Sequence, residues 1–79
     1  MVASGSPGLI TTGTRVDVLV TPDGGRTRLA LRDAEVLAAA PADDGTHVSA
    51  TLRTTLRQAV YLTDAEATGQ VRLLPRGAG

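Results

Sequence analysis

Apolar residues at every second position mark the first two thirds of the chain and predict β-strands. Val16, Val18 and Val20 recur with a period of two within residues 14–21, as expected for a strand with one buried face. Three further strands are predicted at residues 26–32, 33–40 and 47–53. The chain is therefore expected to be rich in β structure before residue 54.

Turn signals separate these strands and predict hairpins. Residues 22–25 read Pro-Asp-Gly-Gly, in which proline suits the second position of a turn and glycine tolerates a positive φ. Residues 41–45 supply a second turn, and a bend is expected at Arg32 and Asp33. Two successive hairpins predict an antiparallel meander or a small barrel-like sheet.

The spacing changes from strand-like to helical after these hairpins. Thr55 stands three residues before Gln58, the spacing of a capping box, and predicts a helix over residues 56–68. Gly69 is expected to end the helix, and residues 71–74 to form a last strand. The predicted core stripe of this helix is Leu56, Ala59, Val60, Thr63 and Ala67.

These elements predict a mainly β fold with one helix (α+β). We expect a small antiparallel sheet of four to six strands, β-clip-like or barrel-like, with the helix before the last strand. Residues 1–12 are assigned to a flexible lead with a short strand at 9–11, residues 13–75 to the β-rich domain, and residues 76–79 to a tail. The predicted core consists of Val16, Val18, Val20, Leu29, Leu31, Val36, Val48, Leu52, Val60 and Leu73.

The amino-acid composition restricts the possible classes of function more than it restricts the possible folds. With 79 residues the chain is one domain, and it has no cysteine for a disulfide or a thiolate metal site. Eight arginines balance eight acidic residues, without the basic stripe and stacking aromatics typical of nucleic-acid binders. No apolar run approaches the roughly 20 residues that span a bilayer, so no membrane insertion is expected in this chain. Residues 1–7 do not resemble a signal peptide, so a signal or anchor is expected outside this chain.

Candidate catalytic and ligand-binding motifs are weak. His47 is the single histidine, and Ser49 lies about 6 to 7 Å along the same predicted strand, too far for a direct hydrogen bond. Asp43 and Asp44 lack the further oxygen ligands of a calcium loop, and the glycine pair after Asp23 leads into a strand rather than a helix. The sequence predicts a protein that is not an enzyme and needs no cofactor or metal.

A candidate interaction surface combines arginines with the single aromatic residue. Arg15, Arg53 and Arg57 suit an acidic partner or a glycan, although interleaved acidic residues favour a mixed, solvated face. Tyr61 anchors a partner if it is exposed, since tyrosine is enriched at interfaces; otherwise it packs along the helix edge with its hydroxyl in water. Both alternatives remain open at the level of sequence.

Several segments resemble one bacterial family. Residues 13–21, Gly-Thr-Arg-Val-Asp-Val-Leu-Val-Thr, and residues 33–39, Asp-Ala-Glu-Val-Leu-Ala-Ala, resemble strands of the RcpC/CpaB proteins of Flp (tight-adherence, type IVb) pilus systems. The positions that match the family's helix are Thr55, Ala59, Leu62, Ala65 and Gly69. The resemblance covers residues 13–74 and departs at Leu56, where the family has proline.

This resemblance implies a structural role in pilus assembly, next to a SAF domain of the β-clip type, on the extracytoplasmic side of the cell envelope. The implied partners are other pilus assembly proteins or further copies of the chain, and no catalytic residue carries over. An exposed sheet edge is the expected contact surface, because its free N–H and C=O groups can pair with a second chain. The alternative is a SAF-like carbohydrate-binding module, or another β module that binds a small ligand.

Overall fold

The chain forms a small barrel with a helix packed against it. A computed structural model describes residues 1–4, 9–42 and 47–76. Their elements are β1 (Val2–Ser4), β2 (Arg15–Pro22), β3 (Arg28–Pro41), β4 (His47–Leu52), α1 (Leu56–Thr68) and β5 (Gly69–Pro75). The strands close in the order β1-β4-β3-β2-β5. This architecture confirms the predicted mainly β fold with its helix before the last strand.

Barrel closure removes the open sheet edge on which the predicted contact surface depended. β1 pairs antiparallel with β4 along its three residues and meets β5 in parallel at Ser4 and Arg72. The start of the chain therefore covers the edge of β4 at residues 47–49 and reaches the edge of β5 at Arg72. The prediction of an exposed sheet edge was wrong because residues 2–4 give no strand signal in the sequence.

The first hairpin forms as predicted. The Gly25 N–H donates to the Pro22 carbonyl at 3.0 Å, and Gly24 has a φ of 69°, a conformation that glycine adopts without steric cost. Facing hydroxyls of Thr21 and Thr27 lie 2.7 Å apart across the hairpin. The second predicted turn, residues 41–45, lies mostly outside the described residues.

The strands predicted at 26–32 and 33–40 are one continuous strand, β3. Val18 pairs with Leu31, whereas Val16 pairs with Ala34, so β3 has one extra residue between these pairs. The extra residue forms a bulge at the predicted bend, where Asp33 has a φ of 59°. The bulge bends β3 without interrupting its pairing with β2. This bend within one strand explains why two strands were predicted.

The barrel interior is aliphatic. Val16, Val18 and Val20 point inward as predicted, and Leu52 is partly buried against the core. The buried residues are Ala3, Ile10, Val16, Val18, Val20, Leu31, Ala34, Val36, Val48, Ala50, Leu62, Ala65, Val71 and Leu73. Ile10 enters this core from a segment without strand structure, so the short strand predicted at residues 9–11 is not formed.

Two predicted core residues, Leu29 and Val60, are exposed instead. A register shift between Val18 and Leu19 pairs Leu29 with Leu19. Directly opposed residues share one face of a sheet, and Leu19 faces away from the core between two buried valines. Leu29 therefore lies on the outer surface. Val60 belongs to the helix, whose orientation differs from the prediction.

Helix α1 has the predicted bounds and the predicted cap. Thr55 Oγ1 accepts from the Gln58 N–H at 3.1 Å, and Gln58 Oε1 accepts from the Thr55 N–H at 2.9 Å. These two bonds complete the capping box. The local sequence therefore fixes where the helix begins.

The side of α1 that faces the barrel is roughly opposite to the predicted stripe. Leu62 and Ala65 are buried, whereas Leu56 and Val60 are 82% and 63% exposed. Gly69, which directly follows the helix, packs against β2, and Leu62 and Ala65 lie on its helical face at spacings of seven and four residues. The junction with β5 thus decides which face is buried.

Candidate functional site

The described part of the chain places all four predicted interaction residues along two neighbouring grooves. The first, which we call the apolar groove, has a volume of about 320 Å³ and runs between β3 and α1. Residues that line it include Leu29, Leu31, Arg57, Gln58, Tyr61 and Leu62. Arg57 and Tyr61 of the predicted surface therefore share one groove.

The second groove, which we call the charged groove, has a volume of about 240 Å³. Residues that line it include Arg15, Arg32, Asp33, Glu35, Arg53 and Gln58. Leu31 and Gln58 line both grooves, so the two grooves are neighbours, and together they are called the β3 trough. The sequence predicted Arg15, Arg53, Arg57 and Tyr61 as surface residues, and the fold places them in these two grooves.

Two of the predicted arginines are held in ion pairs. Arg53 Nε lies 3.0 Å from Glu35 Oε1, and Arg15 Nη1 lies 3.9 Å from Asp33 Oδ2 while donating to the Asp33 carbonyl at 3.1 Å. These contacts agree with the mixed, solvated face that interleaved acidic residues favoured. Both pairs are exposed, so each contributes only about 0–1 kcal/mol to stability.

Two arginines of the β3 trough have no such partner. Arg57 and Arg32 form no ion pair within residues 1–4, 9–42 and 47–76. The sequence predicted Arg57 as part of the interaction surface and placed Arg32 at the bend. The trough is therefore lined by four arginines against Asp33 and Glu35. Its charge excess is positive, although the whole chain is neutral.

Tyr61 is 45% exposed and lines the apolar groove, as does Arg57. This position matches the exposed alternative raised by the sequence. Leu29, equally exposed, lines the same groove from β3. The sequence missed Leu29 because regular alternation places it inside, and it assigned Gln58 to the helix cap alone.

Asp17 and Arg76 form a network of hydrogen bonds that stabilises the β3 bulge, and this bulge lines the trough. Asp17 Oδ1 accepts from the Asp33 N–H at 2.9 Å and from Arg76 Nη1 at 2.8 Å. The hydrogen bond from Asp33, followed by that from Arg76, lowers the pKa of Asp17 below its ordinary value of 3.8. Arg76, assigned by the sequence to the tail, also donates its backbone N–H to the Arg15 carbonyl.

The structure describes only some of the residues in the candidate catalytic and metal motifs. His47 and Ser49 lie on β4, where His47 is half-buried and Ser49 is exposed. Asp43 and Asp44 lie outside the described residues. Within the described parts of the chain, no three His, Asp or Glu side chains are grouped closely enough to hold a metal ion. No helix in these parts has the length and apolar character needed to cross a membrane.

Comparisons of the chain with models of known protein families, with curated proteins and with solved structures find no match. The resemblance to the RcpC/CpaB domain therefore stays a prediction.

Proposed function

We propose that the chain is a structural module of a Flp pilus system that acts by protein contact on the extracytoplasmic side of the cell envelope. Its partners in this proposal are other pilus assembly proteins or further copies of the chain. The resemblance of residues 13–74 to RcpC/CpaB proteins supports the pilus assignment. The apolar outer side of α1 supports the contact mechanism and is the observation that carries it.

The outer side of α1 presents a contact stripe made of Leu56, Val60 and Ala67. Leu56 and Val60 are one helical turn apart and are the two most exposed large aliphatic side chains in the described part of the chain. Burial of such a side chain against a partner contributes roughly 1.5–3 kcal/mol. Amphipathic helices commonly bind by laying residues with this spacing into a groove of the partner.

Sedimentation velocity of the chain, alone and with pilus assembly proteins encoded beside it, tests this proposal. We expect a faster-sedimenting species that is lost in the double variant L56Q/V60Q. L37Q is the matched control, because Leu37 is an exposed leucine of β3. A chain that stays monomeric with every candidate, or a complex that survives L56Q/V60Q, would contradict the contact mechanism.

The alternative is a carbohydrate-binding module, and one observation favours it. Tyr61 and Gln58 line the same groove, and an aromatic ring beside an amide is a combination that can stack on and hydrogen-bond to a sugar. Titration calorimetry with neutral oligosaccharides tests this alternative. Saturable binding that Y61A abolishes would support it over assembly by protein contact.

A further inference from the structure

We infer that the β3 trough binds an acidic peptide segment with leucine side chains, supplied by a partner protein. The inference rests on the proposed function, because it names a chemistry for the protein partner. It concerns a surface separate from the contact stripe of Leu56, Val60 and Ala67. Three properties of the trough carry it: its apolar floor, its unpaired arginines and its length.

The floor of the trough suits an aliphatic side chain. Leu29 and Tyr61 are both partly exposed and face the same apolar groove, with Leu31 and Leu62 beneath them. A leucine seated there removes apolar surface of both molecules from water, which favours binding in proportion to the area covered. The groove volume of about 320 Å³ lies at the lower end of the range for ligand sites, about 300–1,000 Å³.

The charge of the trough selects an acidic ligand. Arg57 lies in the apolar groove and Arg32 in the charged groove, and neither is neutralised by an ion pair within the described residues. A carboxylate can accept two parallel N–H bonds from one guanidinium. Acidic residues two positions before and after a leucine lie on the same side of an extended peptide and would therefore match Arg32 and Arg57.

Gln58 adds a polar group at the point where the two grooves meet. Its Oε1 is engaged by the Thr55 N–H, which fixes the orientation of the side-chain amide. Its Nε2 has no hydrogen-bond partner within the described ranges. This nitrogen is thus a preoriented donor for a backbone carbonyl or a carboxylate of the ligand.

The length of the trough favours a peptide over a compact ligand. Residues 29–35 of β3 line it without a gap, and at about 3.3 Å per residue they span about 20 Å. An extended peptide of about six residues covers this distance. A single aromatic ring at one end gives a nucleic acid little to stack on.

Tyrosine fluorescence provides a direct test, because the chain has one tyrosine and no tryptophan. The probe is the blocked peptide acetyl-Asp-Ser-Leu-Ser-Glu-Ser amide, whose acids and leucine share one side when it is extended, titrated into the full chain at low salt. We expect a saturable change in Tyr61 emission, together with shifts of the Leu29 and Leu31 methyl signals in NMR spectra. The same peptide with Asn and Gln in place of its acids should bind at least about tenfold more weakly.

Variants of the chain locate the site. R32E/R57E should weaken peptide binding by at least about tenfold, because two attractive contacts become repulsive. R72E/R26E is the matched control with the same change in net charge, since Arg72 and Arg26 are exposed and outside the residues that line the trough. Equal weakening by both double variants would mean that only net charge attracts the peptide, and would overturn the inference.

Further outcomes separate this inference from the proposed function. Equal affinity for the acidic and the neutral peptide, or no binding of either while maltohexaose saturates Tyr61, would overturn the acidic-peptide assignment. Failure of the peptide to bind would overturn the inference, and a complex in sedimentation that is lost in L56Q/V60Q would then still support assembly by protein contact. Peptide binding that persists in L56Q/V60Q would show that trough and contact stripe act independently.

Discussion

The inner and outer sides of α1 carry similar aliphatic side chains in opposite environments. On the inner side, Leu62 and Ala65 are 3% and 7% exposed and belong to the hydrophobic core. On the outer side, Leu56 and Val60 face solvent. The inner side of the helix therefore stabilises the fold through its burial. The outer side stays exposed and is the surface of the proposed contact.

The largest change in stability is expected when one leucine on each side of α1 is replaced in turn. Leu62→Ala should lower the free energy of unfolding by about 2–4 kcal/mol, because it leaves a cavity beneath the helix. Leu56→Ala should change it by less than about 0.5 kcal/mol, since the side chain is in water in the folded state. Urea unfolding followed by circular dichroism measures both values, and equal losses would refute the assignment of the two sides.

The junction between α1 and β5 should be the next most sensitive position. A Cβ on Gly69 would contact the Thr21 carbonyl oxygen and lie 2.9 Å from Pro22 Cα, so Gly69→Ala must displace backbone. We expect a loss of about 2–3 kcal/mol in the free energy of unfolding. Gly24→Ala is the comparison, with a loss of about 1 kcal/mol from its positive φ alone, since its Cβ would meet open space.

A smaller effect is expected at the start of the helix. Thr55→Ala removes the hydroxyl that caps the Gln58 N–H and should cost about 1 kcal/mol. Thr55→Ser keeps a hydroxyl and should retain most of the stability. Thermal unfolding of the three proteins distinguishes them. An alanine variant as stable as the serine variant would show that packing of the inner side alone holds α1 in place.

The smallest change in stability is expected for Asp17, whose carboxylate stabilises the β3 bulge. Because the folded protein lowers the pKa of Asp17, its carboxylate stabilises the fold fully above the ordinary pKa of 3.8. That contribution is lost as the pH falls through the lower pKa of the folded state. Asp17→Asn should therefore reduce the unfolding midpoint at pH 7 and make it fall less between pH 5 and pH 2.

The partner of Asp17 provides the control for this pH effect. Arg76→Gln should weaken the same acid dependence, since its guanidinium donates to Asp17 Oδ1. Arg72→Gln removes an exposed arginine that does not contact Asp17 and should leave the difference between pH 5 and pH 2 as in the natural chain. An unchanged acid profile in Asp17→Asn would show that the bulge is held by backbone pairing alone.

Part of the candidate site was readable in the sequence. Arg15, Arg53, Arg57 and Tyr61 were singled out by their chemistry, which depends on residue type alone. Their grouping along β3 was not predictable, because it requires the position of α1 relative to the strand. Leu29 was missed because a register shift moves it to the outer face, and such shifts depend on the paired strand.

Local sequence by itself determined β2, β4, β5, the first hairpin, the bend at Asp33 and the capped helix, because turn residues, caps and strand periodicity act over a few neighbours. Tertiary structure alone decided the pairing of β1, the closure of the barrel and the buried side of α1. Each of these depends on contacts between residues far apart in the chain, such as Gly69 with Thr21 and Pro22. Helical periodicity offers two weakly apolar faces here, and only the fixed junction with β5 selects between them.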